Sequence, residues 1–148
     1  MWLKSGSGGK SCTDCDLSGA VLENVSYAGG NLSRANLTGA YLSGNLHGAK
    51  LRSANLTNLN AADYCSAGTY PIDFGAADFT GATLSSADFE CVDLRGAKLN
   101  NVTSSAAFYF IRSDLTGATV TGTGAANAVY SDSICPDGQP STSDNRCP

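Results

Sequence analysis

A large apolar residue recurs along this chain at every fifth position. Leu17, Leu22, Tyr27, Leu32, Leu37 and Leu42 open the series. It slips by one residue, resumes at Leu46, Leu51 and Leu56, slips again, and continues through Tyr64, Thr69, Phe74, Phe79, Leu84, Phe89, Leu94 and Leu99. A third slip leads to Phe110, Leu115 and Val120. With the large residue called i, position i−2 is commonly alanine (Ala20, Ala35, Ala40, Ala49, Ala54, Ala62, Ala77, Ala82, Ala87, Ala97, Ala118), and i−1 is commonly Asn or Asp. Residues two apart in extended chain share a side, so i and i−2 face inward while i−1 and i+1 face out. Five is odd, so a flat strand would send alternate repeats to the wrong face. A helix fails as well, because at about 100° per residue leucines five apart rotate by roughly 140° and scatter around the axis. The pattern predicts a coil that turns a corner at every repeat and stacks on the preceding coil through parallel-sheet hydrogen bonds. Leu37, Phe79 and Leu94 should then be buried. Glycine at i+2 (Gly19, Gly39, Gly44, Gly81, Gly96, Gly117, Gly122) suits the corners.

Units such as Ala35-Asn36-Leu37-Thr38-Gly39, Ala54-Asn55-Leu56-Thr57-Asn58, Ala77-Asp78-Phe79-Thr80-Gly81 and Ala87-Asp88-Phe89-Glu90-Cys91 resemble the A-(D/N)-(L/F)-x-x unit of the pentapeptide-repeat family. The resemblance covers roughly residues 15–122, about twenty units. It implies an all-β fold: a right-handed quadrilateral parallel β-helix with four repeats per coil, about five coils and a solid interior. At ~4.8 Å per strand the stack would be about 24 Å tall. Bulged corners are expected where the phase slips, near 42–46, 56–64 and 99–110. Tyr70-Pro71 should mark an excursion, because proline cannot donate to the ladder. The chain divides into a tail (1–11), the β-helix (12–127) and a C-terminal cap (128–148).

Composition narrows the function. Charged residues are 15% of the 148, and the formal charge of −4 argues against direct nucleic-acid binding, which wants a basic surface. No apolar run approaches the length of a bilayer helix, and MWLKSGSGGK lacks the apolar centre of a signal peptide. Membrane insertion is therefore not expected. An even set of six cysteines in a small glycine-rich domain points to disulfides, and so to an extracellular or periplasmic protein whose leader has been removed or lies outside this chain.

Cys135 and Cys147 are expected to pair. The repeat fades after Val120, and the tail from Ser131 is too polar to add another coil. A covalent loop would offset the ordering entropy of a cap by roughly 3 kcal/mol. Val129, Tyr130 and Ile134 should rest on the core end, and a covered edge favours a monomer. Cys65 and Cys91 come together if residues 66–71 bulge out, so that Phe89 lies one coil above Tyr64; with regular repeats they fall on different faces. Cys12-x-x-Cys15 reads as a structural pair near the N-terminal end in preference to a zinc or redox motif, and Cys15 occupies an i−2 slot.

Catalytic chemistry finds little support. His47, the single histidine, sits at an outward i+1 position, and no G-x-S-x-G nucleophile motif occurs. No enzyme activity, cofactor or metal is expected. Five N-x-[ST] sequons (Asn24, Asn31, Asn36, Asn55, Asn101) arise largely from the register of the repeat. Asp63, Asp73, Asp78, Asp88, Glu90 and Asp93 fall in a stretch without Lys or Arg, flanked by Arg34, Lys50 and Arg52 before it and Arg95, Lys98 and Arg112 after. They form a possible acidic interaction belt, although most fill the i−1 slot that turn chemistry alone would give to Asp. An ice-binding array would need a regular set of outward Thr, and successive i+1 positions read Ser33, Thr38, Ser43, His47, Arg52, which is irregular. The sequence thus points to a non-catalytic structural or protein-interaction module with an unidentified protein partner. The family resemblance implies an alternative, a DNA mimic that binds DNA gyrase and protects it from quinolones.

Overall fold

The computed structural model describes residues 11–63, 65 and 70–147. Its strands are short: β1 (Val21–Ser26), β2 (Tyr41–Asn45), β3 (Asn60–Ala62), β4 (Ile72–Asp73), β5 (Asp88–Glu90), β6 (Val92–Asp93), β7 (Lys98–Leu99), β8 (Phe108–Ile111), β9 (Thr119–Val120) and β10 (Ala128–Ser131). All pairs among them are parallel. Ser11 aligns with Asn31, Asn31 with Lys50, Lys50 with Asp78, Asp78 with Lys98 and Lys98 with Thr119, so successive coils take 20, 19, 28, 20 and 21 residues. Each coil has four faces. In the first coil their outward i−1 residues are Ser11, Asp16, Val21 and Ser26, and each aligns with its counterpart one coil on. The protein is an all-β, four-sided parallel solenoid of about five coils.

The corners explain the composition of the repeat. After most centre residues the chain closes a turn in which the N–H of i+3 donates to the carbonyl of i, as from Ala40 to Leu37 and from Ala77 to Phe74, both at 3.0 Å. The i+2 residue takes φ > 0, and it does so even where it is Arg34 (59°), Ser53 (55°) or Ala76 (54°). The i+1 N–H is served by the side chain at i−1: Asn36 Oδ1 accepts from Thr38 at 3.2 Å, Asp73 from Gly75 at 2.8 Å and Asp114 from Thr116 at 2.9 Å. A short carboxylate or amide reaches its own backbone two residues on. This is why the repeat carries Asn or Asp before its centre.

Inward positions form one continuous core, and Leu37, Phe79 and Leu94 are fully buried. The N-terminal coils are filled mainly by leucine, and in the C-terminal ones aromatic rings join Leu84, Leu94, Leu99 and Leu115. Phe89 stacks on Phe110 and Phe110 on Tyr130, with centroids 5.5 and 5.3 Å apart. One centre differs from expectation. Ala61, not Tyr64, aligns with Phe89, and the large residue of that unit is the buried Leu59 at i−2. The usual size order is inverted there, which hides the centre from a search for large residues. Tyr64 and Thr69 lie outside the described residues. The chain leaves the ladder after Ala62 and rejoins it at Ile72, so the excursion begins before the expected residues 66–71.

The ladder also runs further than the repeat. β10 pairs with β8, and Ile134 bridges Asp114, so the segment assigned to a cap begins as a further coil despite its polarity. Serine makes this possible. Ser113 and Ser133 are buried at i−2, where each hydroxyl donates to a backbone carbonyl, Phe89 and Phe110 respectively, at 2.9 Å. Each also accepts the N–H of the i−2 residue one coil before, Val92 to Ser113 and Ser113 to Ser133, at 3.1 Å. The chain then folds back: Pro140 pairs antiparallel with Ile134, and the Tyr130 N–H donates to Asn145 O at 2.9 Å. Tyr130 rests on the core as expected, but Val129 and Ile134 stand on outward columns, and Cys135 takes the inward place.

Two changes separate core from corner requirements. Leu84→Ala should cost about 2–5 kcal/mol through the cavity it leaves, measured by chemical denaturation. A Cβ on Gly44 (φ +113°) would lie 2.4 Å from Val25 O, whereas one on Gly39 (φ +64°) meets nothing within 4 Å. Gly44→Ala should therefore lower the denaturation midpoint well beyond Gly39→Ala, whose cost is only the ~1 kcal/mol of a left-handed residue.

Candidate functional site

With a filled interior, what the molecule offers other molecules is its outward columns. The six belt residues do not form one surface. Asp73 and Asp93 stack on the fourth face, with Asp114 above them. Asp78 lies on the first face between Lys50 and Lys98, and Asp88 and Glu90 lie on the third. Asp63 follows Ala62 at the corner leading to the fourth face. Cations interleave with the acids. Arg95 Nη2 is 2.5 Å from Asp93, Arg52 Nε is 3.5 Å from Asp78, Arg112 pairs with Glu90, and His47 Nδ1 is 3.2 Å from Asp73. His47 is thereby an exposed hydrogen-bonding partner of Asp73 on the fourth face.

Protonation follows these contacts. Burial opposes ionisation of Asp93, but hydrogen bonds from the Arg95 side chain and backbone, with the charges of Arg95 and His47, hold its carboxyl below the usual range. Asp88 goes the other way. Burial, and then the charge of Glu90, push it up, and its Oδ1 is buried without a hydrogen-bond partner. Glu90 lies within a strand, so the i+1 corner N–H that engages Asp73 and Asp93 has no equivalent at Asp88.

The cysteines join as Cys12–Cys15, Cys65–Cys91 and Cys135–Cys147, with Cα separations of 5.3, 5.7 and 5.5 Å. The first spans a corner of the first coil. The second ties the excursion to Cys91, a buried residue at φ 59° on the corner of the next coil. The third closes the C-terminal fold-back, and both Cys12 and Cys147 pack against the core. Among the described residues no group of three or more His, Cys, Asp or Glu could hold a metal ion, and no helix is long and apolar enough to cross a membrane.

A family model for pentapeptide repeats matches eight copies, over residues 15–44 and 72–103. The chain carries pentapeptide repeats. The repeats left unmatched between those blocks contain the inverted Leu59/Ala61 unit and the excursion. Solved structures resemble it at low identity, HetL and an Arabidopsis protein among them being described as pentapeptide repeat proteins. HetL, involved in heterocyst differentiation regulation in the cyanobacterium Nostoc sp. strain PCC 7120, is 23% identical over 88% of this chain and 76% of its own, with a TM-score of 0.34. QnrB1, a plasmid-mediated fluoroquinolone resistance protein, is 18% identical over 80% of this chain and 68% of its own, with a TM-score of 0.40. A pentapeptide repeat protein from the Arabidopsis thaliana thylakoid lumen is 21% identical over 98% of this chain and 93% of its own, with a TM-score of 0.35. No curated protein matches the chain. Likeness at this level carries no function across.

Asp88 supplies the test of the electrostatics. Its folded pKa lies above the unfolded value of ~3.9, so the native state bears a penalty that is full above the folded pKa and is relieved as pH falls through it. Asp88→Asn should raise the thermal midpoint at pH 7, and the gain should vanish below about pH 3.9.

Proposed function

We propose that this repeat protein is a non-catalytic interaction module that acts outside the cytoplasm through its outward columns. One observation carries the reading. The inward positions are packed into a closed core, and many of the Asn and Asp side chains that might do chemistry are engaged at i−1 in holding corner N–H groups. What remains is a rigid surface of fixed spacing, and rigidity lowers the ordering cost of binding. Three disulfides favour an oxidising compartment.

A second reading, the gyrase-binding DNA mimic, draws on the stacked Asp73, Asp93 and Asp114. Charge mimicry wants a long field of one sign, and here Arg95 and His47 stand beside that column while the other acids lie on different faces. The interaction-module reading is therefore preferred.

Thiol trapping of the protein recovered from its host, followed by cross-linking to the host's extracellular fraction, tests the proposal. All six cysteines should be blocked as disulfides and a saturable target should be captured. Free thiols in the native protein would overturn the compartment, and the absence of any target would overturn the interaction role. A gyrase supercoiling assay should be unaffected by the protein.

A further inference from the structure

Residues on neighbouring repeats are not neighbours in space. Above and below a given side chain stand those four repeats away, so the surface must be read down columns. The i−1 column of the second face is Asp16, Asn36, Asn55, Thr83 and Thr103, in unbroken parallel register. Its i+1 column places Ser18, Thr38, Thr57, Ser85 and Ser105 one above another, with Ser85 itself buried and the other four at the surface, as the bonds from Gly19 N to Thr38 O, Gly39 N to Thr57 O, Asn58 N to Ser85 O and Ser105 N to Ser85 Oγ require. The irregular series that argued against an ordered hydroxyl array came from positions on different faces.

These two columns hold no cation and no ring, and the single carboxylate, Asp16, is at the end. The other faces differ: the first alternates Lys50, Asp78 and Lys98, the third carries Tyr41, Asp88 and Tyr109, and the fourth carries Asp73, Asp93 and Arg95. The nearest guanidinium groups, Arg34 and Arg52, are drawn to Asp14 at 2.6 Å and Asp78 at 3.5 Å. Turn chemistry accounts for each Asn and Thr singly, but not for their collection on one face of a molecule of charge −4. The side chains are also held in repeating poses. Thr38 Oγ1 donates to Asn36 Oδ1 and Thr57 Oγ1 to Asn55 Oδ1, each at 2.7 Å, while the hydroxyl pairs Thr83/Thr103 and Ser85/Ser105 each lie 3.1 Å apart.

We propose that this second face binds ordered water and, through it, the surface of ice. The complementarity is one of charge and of period. Beyond the terminal Asp16, a face of neutral hydroxyls, amides and threonine side chains suits an uncharged lattice of hydrogen-bonding oxygens. The array repeats at ~4.8 Å along the stack and about 6.6 Å across the two columns, a spacing comparable with that of oxygens on an ice plane. Methyl groups order the water around them and hydroxyls anchor it. A saccharide would be better met by aromatic platforms, and the outward tyrosines Tyr41 and Tyr109 stand on the third face. This inference rests on the interaction-module reading and names the partner of one face.

The experiment is ice-affinity partition and recrystallisation inhibition with the full, oxidised chain, beside Thr57→Lys and Thr83→Lys on the second face and Thr80→Lys on the first. Circular dichroism confirms that each variant folds. The unaltered protein and Thr80→Lys should enter ice and keep crystals small, and Thr57→Lys and Thr83→Lys should lose both activities. An inactive unaltered protein, or equal loss in all three variants, would overturn the proposal. So would retention on insoluble chitin or cellulose that Thr57→Lys abolishes, in the absence of ice activity. Capture of an extracellular protein without ice activity would sink the ice assignment while leaving the interaction module intact.

Discussion

Every feature of this molecule depends on the pairing of backbone groups between coils. A corner every five residues takes most of the chain out of long strands; the second face contains only isolated bridges, and β4, β6, β7 and β9 are two residues each. Such short pairings hold because each coil receives its partners from the one below and passes them to the one above. Buried backbone groups left without partners are costly. The corner must therefore satisfy the N–H groups that the ladder misses, and Asn, Asp and buried Ser do so.

That demand explains what was legible in the chain and what was not. The centres from Leu22 to Leu56 and from Phe74 to Leu99 could be read because size and burial coincide there. Ala61 could not, since the volume moved to Leu59. The extension through Ser131 and Ile134 was hidden for a related reason. A polar segment looks unfit for a core, yet serine at i−2 buries a hydroxyl whose bonds are all to backbone, and its cost is thereby met.

The acidic belt shows the limit of reading along the chain. Asp73, Asp78, Asp88 and Asp93 stand five or ten residues apart in sequence, and the fold deals them out over three faces, with Asp73 and Asp93 meeting only because they are four repeats apart. Contiguity in sequence becomes dispersion in space, and only a period of four repeats produces contiguity on the surface. The same rule gathers the neutral side chains of the second face, which no stretch of sequence displays together. It leaves Asp88 with a buried Oδ1 that has no hydrogen-bond partner, and no signal in the sequence sets it apart from its neighbours.

The third coil spends 28 residues where its neighbours spend 19 and 20, yet Asn60 still meets Asp88 and Asp73 still meets Asp93. Contour length and pitch are thus independent quantities here. The rod behaves as a ruler whose graduations are engraved by peptide groups, and slack can be let out at one corner without moving a mark on the other sides. Disparate attachments could be spliced into that corner over evolutionary time while the opposite side kept its calibration.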